Sequence, residues 1–347
     1  MGGRNRILIF NVNWVGDVLF STAFIRNVRY SFPDSYIACC VPPRCADVLE
    51  GNPYLNEVII FDEKKRHWGP IGQLKFCGEL RKKKFDTVFL LHRSFSRALL
   101  TLLAGIPERI GFFTKKRGGL LTSSFPAPDL LSMHRIQYYL ELLRRAGLRV
   151  KDSHTDFPVW QKHGRVVDDF LSENAADCDF LVGINPGGNW GPKRWPKERF
   201  AELAGRLVRE FKARVIVTGG IQDRDLAEEI ERLSCERLLI SCGKFSLKEF
   251  GALTMCLDLF ITADSGPLHV ANACGAKKII CLFGPTDPAL TGPHPGDNAV
   301  IIRKKTTCAI PCYNVECEDN QCMKSISVED VLAEVRKIRT PGTTSGV

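Results

Sequence analysis

Four short segments gather the residues able to do chemistry. In Val15-Gly16-Asp17 an acid follows an apolar run and precedes a helical one. A carboxylate there suits a general base, or the N-cap of the following helix. In the segment from Pro186 to Pro196 (PGGNWGPKRWP) two adjacent glycines, Gly187 and Gly188, let backbone N–H groups approach an anion. A helix N-terminus follows, where the macrodipole favours phosphate. Lys193 adds a mobile point charge of the kind that neutralises a pyrophosphate, or the segment is a turn carrying a surface lysine. The segment matches neither a P-loop nor a G-x-G-x-x-G fingerprint. In Ala263–His269 (ADSGPLH) Asp264 or Ser265 can cap a helix. The N–H groups of Ser265 and Gly266 would point at the same anion as Lys193. His269, four residues after Ser265, lies one turn into that helix, where it can reach the same ligand or serve as a structural histidine. In Gly219–Asp223 (GGIQD) Asp223 suits ribose hydroxyls, or a helix cap.

These segments matter because of the elements that flank them. Arg6–Val12, Tyr36–Val41, Asn56–Phe61 and Thr87–Leu91 read as buried strands, each a short apolar run. Val18–Phe32 and His134–Leu148 read as helices, the second ending at Gly147. After a pause the alternation restarts. Strands are expected at Phe180–Asn185, Arg214–Thr218, Leu238–Ser241, Leu259–Thr262 and Lys278–Phe283. The helices between them are Lys197–Phe211, Asp223–Leu233, Leu247–Cys256 and Gly266–Cys274. Such alternation predicts α/β architecture with parallel sheets and helices on both faces. Two doubly wound domains facing a cleft are expected: residues 1–154, a linker at 155–178, residues 179–339, and a frayed tail at 340–347. Ligands bind beyond the carboxyl ends of strands in such sheets, which is where all four segments fall.

The chain has 347 residues, 44% hydrophobic and 25% charged. That is ordinary globular composition and excludes a disordered chain, a collagen or a small disulfide scaffold. No run of about 18 uncharged apolar residues is present to span a bilayer. The N-terminus enters a strand-like run without a secretory pattern, so a cytoplasmic location is expected. Gly2 does not make a myristoylation site, because Arg6 stands where Ser or Thr is needed.

The net charge of +9 is uneven: residues 1–150 hold 23 Lys and Arg against 12 Asp and Glu. The basic half points to an anionic partner: nucleic acid, a membrane face or a phosphorylated substrate. Runs such as Lys64-Lys65-Arg66, Arg81–Lys84 and Lys115-Lys116-Arg117 also suit plain solvated faces, the last in a loop flanked by Gly111 and Gly119.

Ten of the fourteen cysteines are scattered through apolar segments and read as reduced core thiols. The other four, Cys308, Cys312, Cys317 and Cys322, fall within fifteen residues. They suit a reduced or partly oxidised loop better than a zinc site, which favours tighter pairs. Asp177-Cys178-Asp179 precedes its strand and Asp223-Arg224-Asp225 reads as a helix start. No required metal or other cofactor is expected.

Asn13–Asp17, the Trp190–Pro196 loop, Ala263–His269 and Phe283–Pro288 (FGPTDP) together resemble the ADP-heptose:lipopolysaccharide heptosyltransferases of glycosyltransferase family 9, most closely the heptosyltransferase II type. The four motifs appear in the family's order along nearly the whole chain. The resemblance implies a GT-B fold of two Rossmann-like domains, the acceptor held by the first and the nucleotide sugar by the second. It implies that Asp17 is the catalytic base and that Lys193 contacts the donor diphosphate. Asp264, Ser265, Gly266 and His269 fall on diphosphate and sugar contacts. Gly188, Asn189 and Asp223 are looser matches, and Phe245 occupies a position associated with the adenine. The implied reaction is a single inverting displacement from ADP-heptose to Kdo–lipid A or a heptosylated inner core. The implied place is the cytoplasmic leaflet of the inner membrane, with peripheral association. Alternatives are a heptosyltransferase I or III type, a nucleic-acid-binding protein and an NAD-type oxidoreductase. The basic runs lack interleaved aromatics, which argues against nucleic acid, and the absent G-x-G-x-x-G argues against NAD.

Overall fold

A computed structural model describes residues 5–339 and divides the chain into two compact units between Pro158 and Val159. The first unit holds six parallel strands: β1 (Arg6–Phe10), β2 (Tyr36–Val41), β3 (Glu57–Ile60), β4 (Thr87–Leu90), β5 (Glu108–Phe112) and β6 (Ser123–Phe125). Its helices are α1 (Val15–Phe20), α2 (Thr22–Ser31), α3 (Ala46–Leu49), α4 (Gly69–Lys82), α5 (Phe95–Leu103) and α6 (Arg135–Arg145). The second unit holds β7 (Leu181–Asn185), β8 (Arg214–Val217), β9 (Leu239–Ile240), β10 (Leu259–Ala263), β11 (Ile279–Leu282) and β12 (Ala299–Ile302). Around them lie α7 (Gln161–Ala175), α8 (Lys197–Phe211), α9 (Arg224–Ser234), α10 (Leu247–Cys256), α11 (Gly266–Ala273), α12 (Pro288–Thr291), α13 (Gln321–Lys324) and α14 (Val328–Arg339).

The first sheet runs β3-β2-β1-β4-β5-β6 and the second β12-β11-β10-β7-β8-β9. Read from its other edge, the second order repeats the first. Both are Rossmann-like doubly wound sheets, as the GT-B expectation requires. Helices cover both faces, so strands such as Ile7–Phe10 and Leu259–Ile261 are buried along their length and are apolar throughout. Strand order reverses between β1 and β4 in one unit and between β7 and β10 in the other. A crevice opens at such a switch point. The loops leaving these four strands therefore border the crevice of their own unit.

Three findings correct the expected elements. Val18–Phe32 is two helices meeting at Ser21, whose hydroxyl donates to the Val18 carbonyl at 2.6 Å. The helix also begins at Val15, so Asp17 lies inside its first turn. Residues 111–119 are not all loop: β5 runs through Gly111 to Phe112, beside β4. Lastly, β6 and β12 are edge strands too short or too exposed to stand out as apolar runs.

Gly147, at φ +76, follows α6 in the left-handed conformation that ends a helix. Within residues 155–178, α7 places Val167, Phe170 and Leu171 against the core of the second unit. The tail 340–347 lies outside the described residues. Of the ten scattered cysteines, Cys39, Cys40, Cys45, Cys77, Cys242 and Cys281 are buried, and Cys178, Cys256 and Cys274 are half-buried. Cys235 is exposed, because it ends α9 in a left-handed conformation rather than facing the core.

Candidate functional site

In the second unit the loop leaving β7 is shaped by its glycines. A Cβ on Gly187 would stand 2.6 Å from Asp223 Oδ1, so glycine is needed there for space. Gly188 has φ +147, with nothing within 4 Å of a Cβ, so glycine is needed there for backbone conformation. Arg194 Nε donates to the Gly188 carbonyl at 2.8 Å and holds the loop closed. Asn189 is exposed at its tip. Lys193 ends a short 3-10 turn, Gly191–Lys193, with Nζ 5.1 Å from the Trp190 ring centroid.

Lys193 Nζ donates to Asp264 Oδ2 at 2.6 Å. Asp264 follows β10 and is 3% exposed. The same oxygen accepts from Thr286 Oγ1 at 2.6 Å and Thr291 Oγ1 at 3.3 Å, and His269 Nε2 lies 3.5 Å from Oδ1. Burial pushes the Asp264 carboxyl up; the His269 hydrogen bond and the Lys193 charge outweigh it and hold the carboxyl well below the usual range. It is a buried, ionised anchor for the Lys193 side chain.

Ser265 occupies the N-cap position of α11 without a side-chain capping bond, and Gly266 opens the helix. The capping alternative for Asp264 and Ser265 is therefore not realised. Lys193, Asp264, Ser265, Gly266 and His269 are thus brought together at the β7/β10 switch point. Asp223 stands beside Gly187, but its Oδ2 accepts from Gly220 N at 2.9 Å and closes its own loop. Phe245, beyond β9, meets Phe170 of α7 edge-on at 5.2 Å, two strands away from β7.

Thr286 and Thr291 were not singled out by sequence reasoning. The signal for Thr286 was available: it lies in the loop leaving β11, the next strand to β10. Asp177 and Asp179 precede β7 and lie at the amino end of the sheet. Among the described residues no three His, Cys, Asp or Glu side chains gather as a metal-ligand set.

In the first unit Asp17 lies in the first turn of α1, whose N-cap position is Trp14. Tyr139 Oη donates to Asp17 Oδ1 at 3.3 Å, and Arg135 Nε lies 3.9 Å from the same oxygen. Burial, then the nearby Asp17 charge, pushes the Tyr139 phenol well above its ordinary pKa, so it remains a donor. Asp17 is thus a partly exposed carboxylate that accepts from a tyrosine hydroxyl and pairs with an arginine at longer range.

Beside it lies a cluster that sequence reasoning missed. Arg97 is buried; its Nη2 donates to Asn13 Oδ1 at 3.1 Å and Glu63 Oε1 at 3.2 Å, and Nη1 lies 3.5 Å from His92 Nδ1. It ties together the loops leaving β1, β3 and β4. Arg117 is a correction: grouped with Lys115 and Lys116 as a basic loop, it is fully buried. Its guanidinium donates to the carbonyls of Phe112 and His92, which the planar fork can satisfy together. Burial, and then the Arg97 and Arg117 charges, push the His92 imidazole down to about 4. His92 is neutral at pH 7, and its Nδ1 accepts from Ser94 N at 3.1 Å.

Comparison with known proteins identifies relatives along most of the chain. Lipopolysaccharide heptosyltransferase 2 of Salmonella typhimurium is 28% identical over 303 residues, spanning 83% of this chain and 85% of that protein. A glycosyl transferase family 9 crystal structure from Veillonella parvula superposes with a TM-score of 0.87 at 26% identity, covering 97% of this chain and 98% of that one. The E. coli ADP-heptose lps heptosyltransferase II structure gives 0.78 at 26% identity, with 96% and 98% covered. The family description "Glycosyltransferase family 9 (heptosyltransferase)" matches residues 73–322, taking in every segment of the second unit's site described above, and the chain belongs to that family.

Proposed function

We propose that this enzyme transfers heptose from ADP-L-glycero-D-manno-heptose to the lipopolysaccharide inner core with inversion, as a heptosyltransferase II type. The observation that carries this reading is the likeness to heptosyltransferase 2 proteins along most of the chain. The Lys193–Asp264–His269 cluster at the second switch point and Asp17 at the first support it.

In this reading Asp17 accepts the proton of an acceptor hydroxyl, and the oxygen attacks the anomeric carbon as ADP leaves. Lys193 and the α11 N–H groups neutralise charge growing on the diphosphate, a preorganised stabilisation worth several kcal/mol in comparable sites (roughly 3–4 per donor). Asp264 positions Lys193. Gly188, Asn189, Asp223 and Phe245 line the nucleotide side, and Ser265, Gly266 and His269 the diphosphate and sugar. The reaction needs no metal, since the cationic groups already answer the leaving charge. The acceptor is Kdo–lipid A or a heptosylated core, and the enzyme works peripherally at the cytoplasmic leaflet of the inner membrane. Its basic first half supports that placement.

Calorimetry with ADP, UDP, GDP and NAD tests the donor: ADP binds and the other three do not. Turnover of ADP-heptose on a Kdo–lipid A or heptosylated-core acceptor completes the test. Preference for UDP or NAD, or no transfer to either acceptor, refutes the reading.

A further inference from the structure

Helix α4 carries two apolar stripes, and only one is buried. Phe76, Cys77 and Leu80 pack into the core of the first unit. The opposite side presents Trp68 at its N-cap, 74% exposed, then Ile71 at 85% and Leu74 at 62%. Spacings of three place these side chains along one solvent face. The same face continues through exposed Lys75, Arg81 and Lys82, while Lys64 and Lys65 are exposed just before the helix. Across residues 64–84 eight Lys and Arg stand against one acid, Glu79, which pairs with Arg66 at 2.7 Å.

Three large apolar side chains in water, ringed by cations, have no folding rationale. Contiguous exposed apolar patches mark interaction sites. Two copies of this face would set cation against cation in an isologous pair. An anionic bilayer answers both features: tryptophan and aliphatic groups enter the headgroup boundary while lysine and arginine meet the lipid phosphates.

We propose that the outer face of α4, with Trp68, Ile71 and Leu74 as the inserted groups and Lys64, Lys65 and Lys75 as the cationic rim, is the surface that docks this enzyme on an anionic lipid membrane. The proposal rests on the peripheral association proposed above and names the surface responsible for it.

The test uses the full chain in co-sedimentation with vesicles of phosphatidylcholine alone and of phosphatidylcholine mixed with phosphatidylglycerol. The wild type binds the anionic vesicles and leaves the neutral ones. A W68S/I71S/L74S variant binds the anionic vesicles at least about tenfold more weakly, with unchanged melting temperature and ADP affinity. Val166→Ser, at an exposed apolar residue of α7, binds as the wild type does. If the wild type binds and the triple variant binds equally well, the docking face is wrong while peripheral association stands. If the wild type ignores anionic vesicles, both fall. If the triple variant instead converts a dimer to a monomer in sedimentation velocity, the face pairs with a second copy and the proposal is overturned.

Discussion

The Lys193 ammonium sits 2.6 Å from the Asp264 carboxylate, on a residue that is itself 3% exposed. The lysine is thus held in place from behind by a buried anion, with Thr286 and Thr291 sharing the same oxygen. In the proposed reading a ligand phosphate would meet a preorganised cation and would not have to order a free lysine chain, whose side-chain entropy costs up to about 2 kcal/mol.

Lys193→Ala therefore has two separable effects. ADP affinity falls by about tenfold or more, because a charge-assisted contact worth about 1.5–3 kcal/mol is lost. Stability falls by about 1–3 kcal/mol, because a buried carboxylate loses a partner. Adding Asp264→Asn to Lys193→Ala restores most of the stability and none of the ADP affinity. Calorimetry and urea unfolding of both variants check this. Recovery of ADP binding in the double variant would remove Lys193 from the phosphate site.

With Asp17 as the proposed acceptor-side base, Asp17→Asn lowers kcat by about 10²–10⁴-fold. ADP affinity stays within about twofold, since a change confined to the acceptor side leaves donor contacts alone. Tyr139→Phe removes one donor from Asp17 Oδ1 and lowers kcat only several-fold. Steady-state rates with ADP titrations measure both. An Asp17→Asn enzyme turning over at the original rate would mean that another group takes the proton.

The doubly wound alternation is legible because each central strand, such as Ile7–Phe10 or Ile279–Leu282, is buried on both faces and so is written as an unbroken apolar run. Ser123–Phe125 carries no such run, being three residues at a sheet edge. The strand-end rule located Asp17, Lys193 and Asp264. It could not tell that Asp264 faces Lys193, since that depends on how the loops after β7 and β10 fold toward each other. Arg117 was illegible for a related reason. A basic run reads as solvated, and only the tertiary structure supplies the two carbonyls that let one of its members be buried.

His92 gives the fold a signed pH dependence. Its folded pKa is pushed down to about 4, against an unfolded value near 6.5. Between these values the unfolded chain holds a proton that the folded chain does not, so stability rises with pH there. The contribution is fully present above the unfolded value and is lost as pH falls toward 4. His92→Gln removes it. Urea unfolding from pH 4.5 to 7.5 shows a flatter profile for the variant than for the wild type. Superimposable slopes would mean that His92 titrates normally in the folded protein.

Gly187 is a spacing residue, and its neighbour supplies the test. An added Cβ meets the Asp223 carboxylate at 2.6 Å, closer than real Cβ contacts come, so the carboxylate must swing away. It then loses the Gly220 N–H it accepts at 2.9 Å, a bond worth about 1 kcal/mol. Gly187→Ala accordingly lowers stability by about that amount, and it loosens the loop that carries Lys193, so ADP binds several-fold more weakly. Asp223→Ala opens the space that the new methyl needs. G187A/D223A is then no less stable than Asp223→Ala alone, and the two substitutions are strongly non-additive. Thermal unfolding of the two single variants and the double variant reads the coupling directly. Simple additivity would show that the methyl is accommodated by the Pro186–Pro196 loop moving, with Asp223 left where it is.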